Sequence, residues 1–241
     1  MKRFAIITPV PELVNTVINE TIIRKSVENE IAEINVVNLR NFTKGKYRQI
    51  DDEPYGGGDG MVMMAEPFFK AIDYTISSWN EFDDLRIIYP TPQGKLWSQK
   101  TAREFSIEGN IIFLCGHYKG IDERVIEKYV TDEFSLGDYV ISGGELSSMV
   151  MLDSIIRMVP GVLNSFESAQ SDSFMNGLLD APYYTRPRVI DGVKVPTVLL
   201  NGDHKKIDYW REKKREERTA SRRKDLWKKY NALKSNGEKH E

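Results

Sequence analysis

The chain has 241 residues and a net charge of -2, with 34 Lys and Arg against 36 Asp and Glu. This length suits one large domain with a smaller one, and it buries a core without disulfides or metals. Cys115 is the one cysteine, which excludes an intrachain disulfide and a cysteine-based zinc site and suits a reducing cytoplasm. No apolar run approaches the roughly 20 residues of a membrane span, so we expect a soluble cytoplasmic protein.

The first part of the sequence predicts alternating strands and helices. Phe4 to Ile7 and Glu33 to Val37 are short apolar runs typical of strands, and a helix is predicted between them from Pro11 to about Val27. The stretch from Asn41 to Asp59 has little periodicity, which indicates a long loop. A helix from Pro67 to Trp79, with apolar residues on one face, follows this loop.

Three further predicted strands each end in a segment rich in glycine or proline. The strands with the segments that follow them are Leu85 to Tyr89 with Pro90 to Gly94, Asn110 to Leu114 with Cys115 to Gly120, and Asp132 to Leu136 with Gly137 to Glu145. In parallel sheets, ligands bind beyond the carboxyl ends of strands, where glycine lets the backbone come close. We therefore expect these segments to hold one small molecule, although each glycine taken singly is explained by a turn.

Helices and a change of composition indicate the domain organisation. Helices are predicted from Ser98 to Phe105, from Asp122 to Tyr129 and from Gly144 to Met158, and the last of them stops at Val159-Pro160-Gly161. After Leu163 the sequence becomes polar. We predict a main domain of residues 1–163, a flexible linker of residues 164–177 and a basic C-terminal domain of residues 178–241.

The C-terminal region concentrates positive charge. The stretch from Leu178 to Val198 is predicted to be mostly extended or irregular, with a turn at Asp191-Gly192. One long helix is predicted from Tyr209 to about Leu233, capped by Asp203 or Asp208. From His204 to Tyr230 there are twelve Lys or Arg against five Asp or Glu. An excess of this kind is typical of a protein that binds a polyanion, and a solvated helix of mixed charge is the alternative.

The glycine cluster Tyr55 to Met61 matches neither common nucleotide motif. No strand directly precedes it and its glycines do not have dinucleotide-fingerprint spacing, and it lacks the Gly-Lys-Ser/Thr of a Walker loop. The three histidines, His117, His204 and His240, do not lie beside a nucleophile elbow or a zinc motif, which makes a hydrolase a weak interpretation.

Taken together, these motifs resemble the bacterial tRNA (guanine-37) N1-methyltransferase family, TrmD, of the knotted SPOUT superfamily. The resemblance covers nearly the whole chain. It is carried by Tyr55 to Met61, Thr91 to Gly94, Leu114 to Arg124, Ser135 to Glu145, Arg157 with Pro160 to Leu163, Asp172 to Phe174, Gly177 to Asp180, Tyr184 to Pro187 and Val195 to His204.

The resemblance implies an α/β fold: a SPOUT-type parallel sheet with a deep trefoil knot, plus a small, mainly helical C-terminal domain. It implies a homodimer that binds tRNA and takes S-adenosylmethionine as methyl donor, and Mg²⁺ is associated with the family, although the sequence contains no metal cage. The implied cofactor-binding residues are Tyr89, Pro90, Pro92, Gly116, Tyr118, Ser135, Leu136, Gly137, Tyr139, Val140, Ile141, Gly143 and Gly144.

The resemblance also implies the residues of the reaction. Asp172 stands where the family has its general base, acting on cofactor held largely by the other subunit, and Arg157 stands where the family stabilises charge on O6 of guanine. The residues expected to contact RNA are Asp180, Thr185, Arg186, His204, Lys205, Lys206, Arg211, Lys214, Arg215 and Arg218. Aromatic side chains are expected to stack on bases at Tyr183 and Tyr184, and to pack in a small core at Tyr209 and Trp210.

Two positions depart from the family pattern. Lys119 stands where the family commonly has Glu, and Asp59 where it usually has Pro. Any contact of a carboxylate at position 119 with the cofactor's ammonium or with a metal is thereby in doubt. Two other functions stay open: a SPOUT enzyme that methylates ribosomal RNA or a ribose 2'-hydroxyl, and an RNA-binding factor without turnover.

Overall fold

The computed structural model describes residues 1–79, 84–163 and 172–237, in two compact units, Met1–Asn164 and Ser165–Glu241. The strands are β1 (Lys2–Thr8), β2 (Ala32–Asn38), β3 (Asp51–Asp52), β4 (Val62–Met63), β5 (Arg86–Leu96), β6 (Ile111–Leu114), β7 (Asp132–Ser135), β8 (Val189–Ile190) and β9 (Val193–Lys194). The helices are α1 (Pro11–Ile18), α2 (Thr21–Glu28), α3 (Ala65–Trp79), α4 (Gln99–Ile107), α5 (Glu123–Tyr129), α6 (Gly144–Ile156), α7 (His204–Arg222) and α8 (Lys224–Gly237).

The first unit is built on a five-stranded parallel sheet in the order β2-β1-β6-β5-β7. Strand β6 lies between β1 and β5, although it follows β5 in the chain. Strands β6, β5 and β7 are therefore neighbours whose carboxyl ends meet at one edge. The prediction of an α/β fold with a parallel sheet is confirmed.

Helices cover both faces of this sheet, which explains why its strands are apolar on both sides. Phe4 and Ile6 of β1 face a core shared with α1, α2, α4 and α6, whereas Ala5 and Ile7 face a core shared with α3 and α5. The four residues of β6 alternate in the same way and are fully buried. The result is three layers, with the sheet in the middle.

Strand β5 extends further than the sequence predicted. It continues from Arg86 to Leu96, but its register with β7 shifts between Pro90 and Lys95, so the intervening residues leave the regular ladder. Gly94 allows this shift because a Cβ atom there would lie 2.3 Å from the backbone nitrogen of Phe134. The predicted proline loop is thus a bulge inside a strand.

Two predicted helices are each divided in two. The helix expected from Pro11 to Val27 is interrupted after α1, and α2 begins at Thr21, whose φ of +55° lies outside the helical region. The helix expected from Tyr209 to Leu233 consists of α7 and α8, separated by Arg223 with φ -134° and ψ 73°. Asp203 caps α7, since its side chain accepts a hydrogen bond from the Lys206 N–H.

The second unit contains the hairpin β8-β9 and the helices α7 and α8. The hairpin turns at Asp191 and Gly192, as predicted, with φ of +50° and +79°, which suits a two-residue hairpin loop. Residues 164–171, most of the predicted linker, lie outside the described residues. Within the described ranges, no helix is long and apolar enough to span a membrane.

Candidate active site

The bulge of β5 and the segments that leave β6 and β7 line one pocket of about 490 Å³. This volume lies within the range of small-molecule sites, and the position at the carboxyl ends of parallel strands is where α/β folds bind ligands. All the residues predicted to bind the cofactor line this pocket: Tyr89, Pro90, Pro92, Gly116, Tyr118, Ser135, Leu136, Gly137, Tyr139, Val140, Ile141, Gly143 and Gly144.

Glycines allow two of these segments to cross at very short distance. The Gly144 N–H donates to the Gly116 carbonyl at 2.9 Å, and His117 and Gly143 form a backbone bridge. A Cβ atom on Gly144 would lie 2.9 Å from Cα of Cys115, and one on Gly116 would lie 2.9 Å from the Tyr89 ring. A side chain at either position would force backbone or ring aside, so the crossing requires glycine.

The segment after β7 turns sharply at Gly137. The Ser135 hydroxyl accepts from the Gly137 N–H and lies 3.1 Å from the Gly137 carbonyl, and Gly137 has a φ of +150°. The chain then exposes Tyr139, Val140 and Ile141 along the pocket. These residues present both backbone groups and apolar surface to a ligand.

A buried carboxylate ties the crossing together. Glu145, in the first turn of α6 and 2% exposed, lies 2.8 Å from His117 Nε2 and accepts a hydrogen bond from the Thr8 hydroxyl at 2.7 Å. The Thr8 hydroxyl also accepts from the Val10 N–H. These contacts join the ends of β1 and β6 to the start of α6. The sequence indicated only an acidic helix start here, because the three residues are far apart in the chain.

The pocket contains charges of both signs. Its ionised side chains come from Lys119, Glu123 and Glu133. Burial, followed by the nearby Glu133 and Glu123 carboxylates, raises the pKa of Tyr89 above its ordinary value, so the phenol stays neutral. Cys115 is fully buried beneath the pocket, and burial, with Glu145 adding to it, raises the pKa of its thiol. This thiol is therefore not a nucleophile at neutral pH.

The glycine cluster Tyr55 to Met61 runs beside the pocket. Met63 pairs in parallel with Ile121, and the Lys119 N–H donates to the Met61 carbonyl at 3.1 Å. These backbone bonds fix the end of the cluster against the segment after β6. The long loop predicted before it includes a short 3-10 helix, Leu39–Phe42, and strand β3, which pairs with β4.

Arg157 lies at the far end of α6 from the pocket. It caps the helix, and its positive charge partly offsets the rise in the pKa of Asp153 that burial causes. Because α6 has 13 residues, Gly144 and Arg157 are about 20 Å apart along the helix. Arg157 is not among the residues that line the pocket.

Asp172 begins a tight turn in the second unit. Its carbonyl accepts from the Met175 N–H at 3.4 Å, and the Phe174 N–H donates to the Leu178 carbonyl at 2.8 Å. Phe174 has a φ of +75°, which is uncommon for an aromatic residue. The ring of Phe174 is partly exposed, and the guanidinium of Arg223 lies 5.9 Å from its centre.

The residues predicted to contact RNA differ in exposure and in their side-chain partners. Thr185, Arg186, His204, Lys205 and Arg211 are exposed. Asp180, in contrast, accepts hydrogen bonds from the Ala181 N–H and the Tyr183 hydroxyl. Residues whose side chains form ion pairs are Lys206 with Asp203, Arg211 with Asp208, Lys214 with Glu217 and Arg215 with Glu212.

Arg215 and Tyr209 differ most from expectation. The Arg215 side chain is 11% exposed and donates to the Asn176 side chain at 2.8 Å, which favours a structural contribution. Tyr209, predicted to be core, is 74% exposed because it lies on the outer face of α7. Trp210 is half-buried and its ring lies 6.4 Å from that of Tyr184.

Comparison with known proteins places the whole chain in one family. The model of the family described as tRNA (Guanine-1)-methyltransferase TrmD matches residues 1–229. Three proteins named tRNA (guanine-N(1)-)-methyltransferase are similar over most of their length. They come from Clostridioides difficile (48% identical over 229 residues, 95% of this chain and 99% of the relative), Ruminiclostridium cellulolyticum (46% over 227 residues, 94% and 97%) and Staphylococcus carnosus (47% over 224 residues, 93% and 90%).

In the part of the chain that the structure describes, no group of three or more His, Cys, Asp or Glu side chains could hold a metal ion. The match to the family model spans both units, the pocket at the strand ends and the basic helices. The chain belongs to the TrmD family of tRNA (guanine-1)-methyltransferases.

Proposed function

We propose that the protein transfers a methyl group from S-adenosylmethionine to N1 of guanine 37 in tRNA. The observation that carries this proposal is the pocket formed by the bulge of β5 and the ends of β6 and β7, in a chain that matches the TrmD family over residues 1–229. The relatives are named for methyl transfer to N1 of guanine in tRNA, and the pocket offers a site for the methyl donor.

The volume and the lining of the pocket support S-adenosylmethionine as the donor. S-adenosylmethionine supplies an activated methyl on a sulfonium when it is bound. A Cβ atom at Gly116, Gly137, Gly143 or Gly144 would clash with neighbouring protein atoms, so glycine lets these segments pack closely and line the pocket with backbone amides and carbonyls. The exposed apolar residues of the segment after β7 suit an adenine ring.

Asp172 and Arg157 would perform the proton and charge chemistry. N1 of guanine carries a proton, and its lone pair becomes available only when that proton leaves. The Asp172 carboxylate would accept it, a contribution typically worth about 10²- to 10⁴-fold in rate. Negative charge then spreads to O6, where the Arg157 guanidinium would stabilise it. The base must leave its stack to reach both groups.

A second copy of the chain would complete the site. Within one protomer, Arg157 lies about 20 Å along α6 from Gly144, too far to reach a base at the same pocket. Leu146 and Val150 on α6 are exposed, and so is Leu13 on α1, a helix that contacts α6. A helix that is apolar on all sides is normally covered, and an antiparallel second α6 would cover this one and bring its Arg157 to the pocket.

The crossing of chain segments supports the trefoil knot. The segment that leaves β7 crosses the segment after β6 where the Gly144 N–H donates to the Gly116 carbonyl at 2.9 Å. It continues into α6, which packs on the same face of the sheet as α1, α2 and α4. We propose that the chain threads through this crossing before α6, which would form the knot.

The second unit would bind the tRNA. Helix α7 and its start carry the exposed side chains of His204, Lys205 and Arg211, and the preceding segment exposes Thr185 and Arg186. Positive side chains of this kind contact phosphates and give binding that weakens with salt. Because exposed ion pairs contribute little, the paired lysines and arginines can exchange their carboxylate partners for phosphates.

The test is to incubate the protein with labelled S-adenosylmethionine and unmodified tRNA, and then to map the methylated atom. Methyl on N1 of guanine 37, absent when position 37 is adenine, supports the proposal. Methyl on a ribose 2'-oxygen or on ribosomal RNA alone would assign a different SPOUT activity. Binding of tRNA without any transfer would assign an RNA-binding factor. Omission and addition of Mg²⁺ in the same assay tests whether the reaction needs the ion.

A further inference from the structure

More negatively than positively charged side chains line the pocket. Two carboxylates line it, those of Glu123 and Glu133. All residues of its lining are among those described, and Lys119 is the one lysine or arginine in that lining. The imidazole of His117 is engaged by Glu145, 2.8 Å away. A ligand that carries several positive groups and one negative group therefore finds one positively charged side chain, that of Lys119, to bind its negative group.

Lys119 is held in place by both its backbone and its stem. Its N–H donates to the Met61 carbonyl, and the neighbouring Gly120 carbonyl accepts from the Met63 N–H at 3.0 Å. A Cβ atom on Gly60 would lie 3.0 Å from Cε of Lys119, so the aliphatic stem rests against the bare Gly60 backbone. A stem that is already braced loses less conformational entropy when its ammonium binds a ligand.

The ammonium of Lys119 is available. The side chain is exposed at the pocket, and no carboxylate of the described residues forms an ion pair with it. A surface lysine without a partner is common, but this one stands at the rim of a cavity whose other ionised side chains are negative. An anionic group on a bound small molecule would gain a charge-assisted hydrogen bond there.

We propose that Lys119 binds the α-carboxylate of the donor and makes the enzyme prefer a donor that carries this group. The inference rests on the proposed function, since it names a subsite for S-adenosylmethionine. The ammonium and sulfonium of the donor are positive and suit Glu123 and Glu133. Lys119 is then a specificity-determining residue, and Gly60 positions it.

The experiment measures the affinity of the full-length protein for S-adenosylmethionine and for decarboxylated S-adenosylmethionine by calorimetry. The wild type should prefer the first by about tenfold, as expected for one hydrogen bond between charged groups at a partly exposed site. Lys119→Met should weaken binding of S-adenosylmethionine by about tenfold and leave the decarboxylated donor unchanged, which brings the ratio near one. Lys119→Arg should keep the preference.

Control variants distinguish binding of the donor carboxylate by Lys119 from the loss of any surface charge and from loss of the fold. Lys100→Met removes an exposed lysine of α4 that lies outside the pocket, and it should change neither affinity. Gly60→Ala should reduce the preference, because the new methyl displaces the Lys119 stem and a φ of +96° is unfavourable for alanine. Thermal unfolding of each variant shows whether the fold is retained.

Several outcomes would overturn the proposal. A wild type that binds both donors equally, or a Lys119→Met variant that weakens both equally, shows that no carboxylate contact exists. If Lys119→Met leaves the ratio of the two donor affinities unchanged but raises the KM for tRNA, Lys119 contacts an RNA phosphate and not the donor. If the wild type binds neither donor, the proposed function fails and this subsite with it. If it methylates tRNA without distinguishing the donors, only the Lys119 subsite fails.

Discussion

The two units of the molecule are stabilised by different interactions. In the first, helices bury both faces of a parallel sheet, and fully buried residues such as Phe4, Phe68 and Phe113 fill the two cores. In the second, the buried residues among positions 172–235 are Leu178, Ala181 and Thr219. The rest of that unit is connected by hydrogen bonds and exposed ion pairs.

This difference suits what each unit would bind. A small donor needs a pocket formed before it arrives, and close backbone packing around glycines provides one. A large RNA needs a charged surface that can adjust, and exposed ion pairs worth about 0.2–1 kcal/mol each are easily rearranged. The comparison predicts that donor binding and RNA chemistry can be changed separately, and four substitutions test this, from the largest expected effect to the smallest.

The substitution Asp172→Asn should have the largest effect, and only on turnover. Loss of the proposed base should lower kcat by about 10²- to 10⁴-fold, because the N1 proton would have no acceptor. The dissociation constant for S-adenosylmethionine should not change, since the pocket proposed for the donor lies in the first unit. Single-turnover methylation and calorimetry measure the two quantities.

A matched control for this substitution is Asp191→Asn, in the turn of the β8-β9 hairpin. It makes the same chemical change in the same unit, at a position where asparagine also accepts a positive φ. Its activity should equal that of the wild type. Activity of Asp172→Asn within tenfold of the wild type would mean that another group removes the proton.

The substitution Gly144→Ala should have the next largest effect, on the first unit. The added methyl would lie 2.9 Å from Cα of Cys115 and 3.0 Å from N of Gly116, both backbone atoms that cannot move independently. Overpacking of this kind costs about 1–3 kcal/mol of unfolding free energy, and donor binding should be lost with the crossing. Urea unfolding and calorimetry check both.

Gly192→Ala provides the comparison in the second unit. The space around Gly192 is open, but its φ of +79° costs an alanine about 1 kcal/mol. Donor binding should remain as in the wild type. Equal loss of donor affinity in the two variants would contradict the assignment of the pocket to the first unit alone.

The sequence predicted the pocket better than the sheet that supports it. The segments after three buried strands pointed to a site at one sheet edge because glycines and prolines follow those strands directly, and the individual residues came from the resemblance. The order of strands could not be read in this way. Insertion of β6 between β1 and β5 depends on packing of helices far apart in the chain.

Helix interruptions and contacts between buried polar side chains could not be predicted from the sequence either. The interruptions at Thr21 and Arg223 involve residues with ordinary helix propensity, so tertiary packing decides them. The contact of Glu145 with His117 and Thr8 joins three elements that only the folded sheet brings together. Such contacts leave no periodic pattern in a sequence.

The substitution Thr219→Val should have a moderate effect, confined to the second unit. The Thr219 hydroxyl is fully buried, donates to the Arg215 carbonyl at 2.7 Å and accepts from the Leu179 N–H at 2.8 Å. Valine keeps the shape but leaves that N–H without a partner, which costs about 1–3 kcal/mol. Hydrogen exchange of α7 should quicken and tRNA affinity should fall, while donor affinity stays constant.

Ser221→Ala is the control on the same helix. Its exposed hydroxyl donates to carbonyls of the preceding turn, Glu217 and Arg218, and water can replace these contacts. We expect a change within about 0.5 kcal/mol. If Thr219→Val is equally mild, the second unit does not depend on its one buried hydroxyl.

The smallest expected effect is that of acid on the pair Arg223 and Asp225. Arg223 donates two hydrogen bonds to Asp225, at 2.9 and 2.6 Å, and these lower the pKa of the Asp225 carboxyl to about 2. A carboxyl with a lowered pKa in the folded state stabilises the protein above its unfolded pKa, about 3.9. This contribution is lost as the pH falls from about 4 to about 2.

NMR titration of Asp225 measures the pKa of its carboxyl, and Arg223→Gln should return that pKa to about 3.9. Because the side chains of Arg223 and Asp225 are 44% and 55% exposed, the accompanying change in stability should be small and should shrink in salt. A large loss of stability in Arg223→Gln would show that this exposed pair supports the junction of α7 and α8 as strongly as apolar burial supports the first unit.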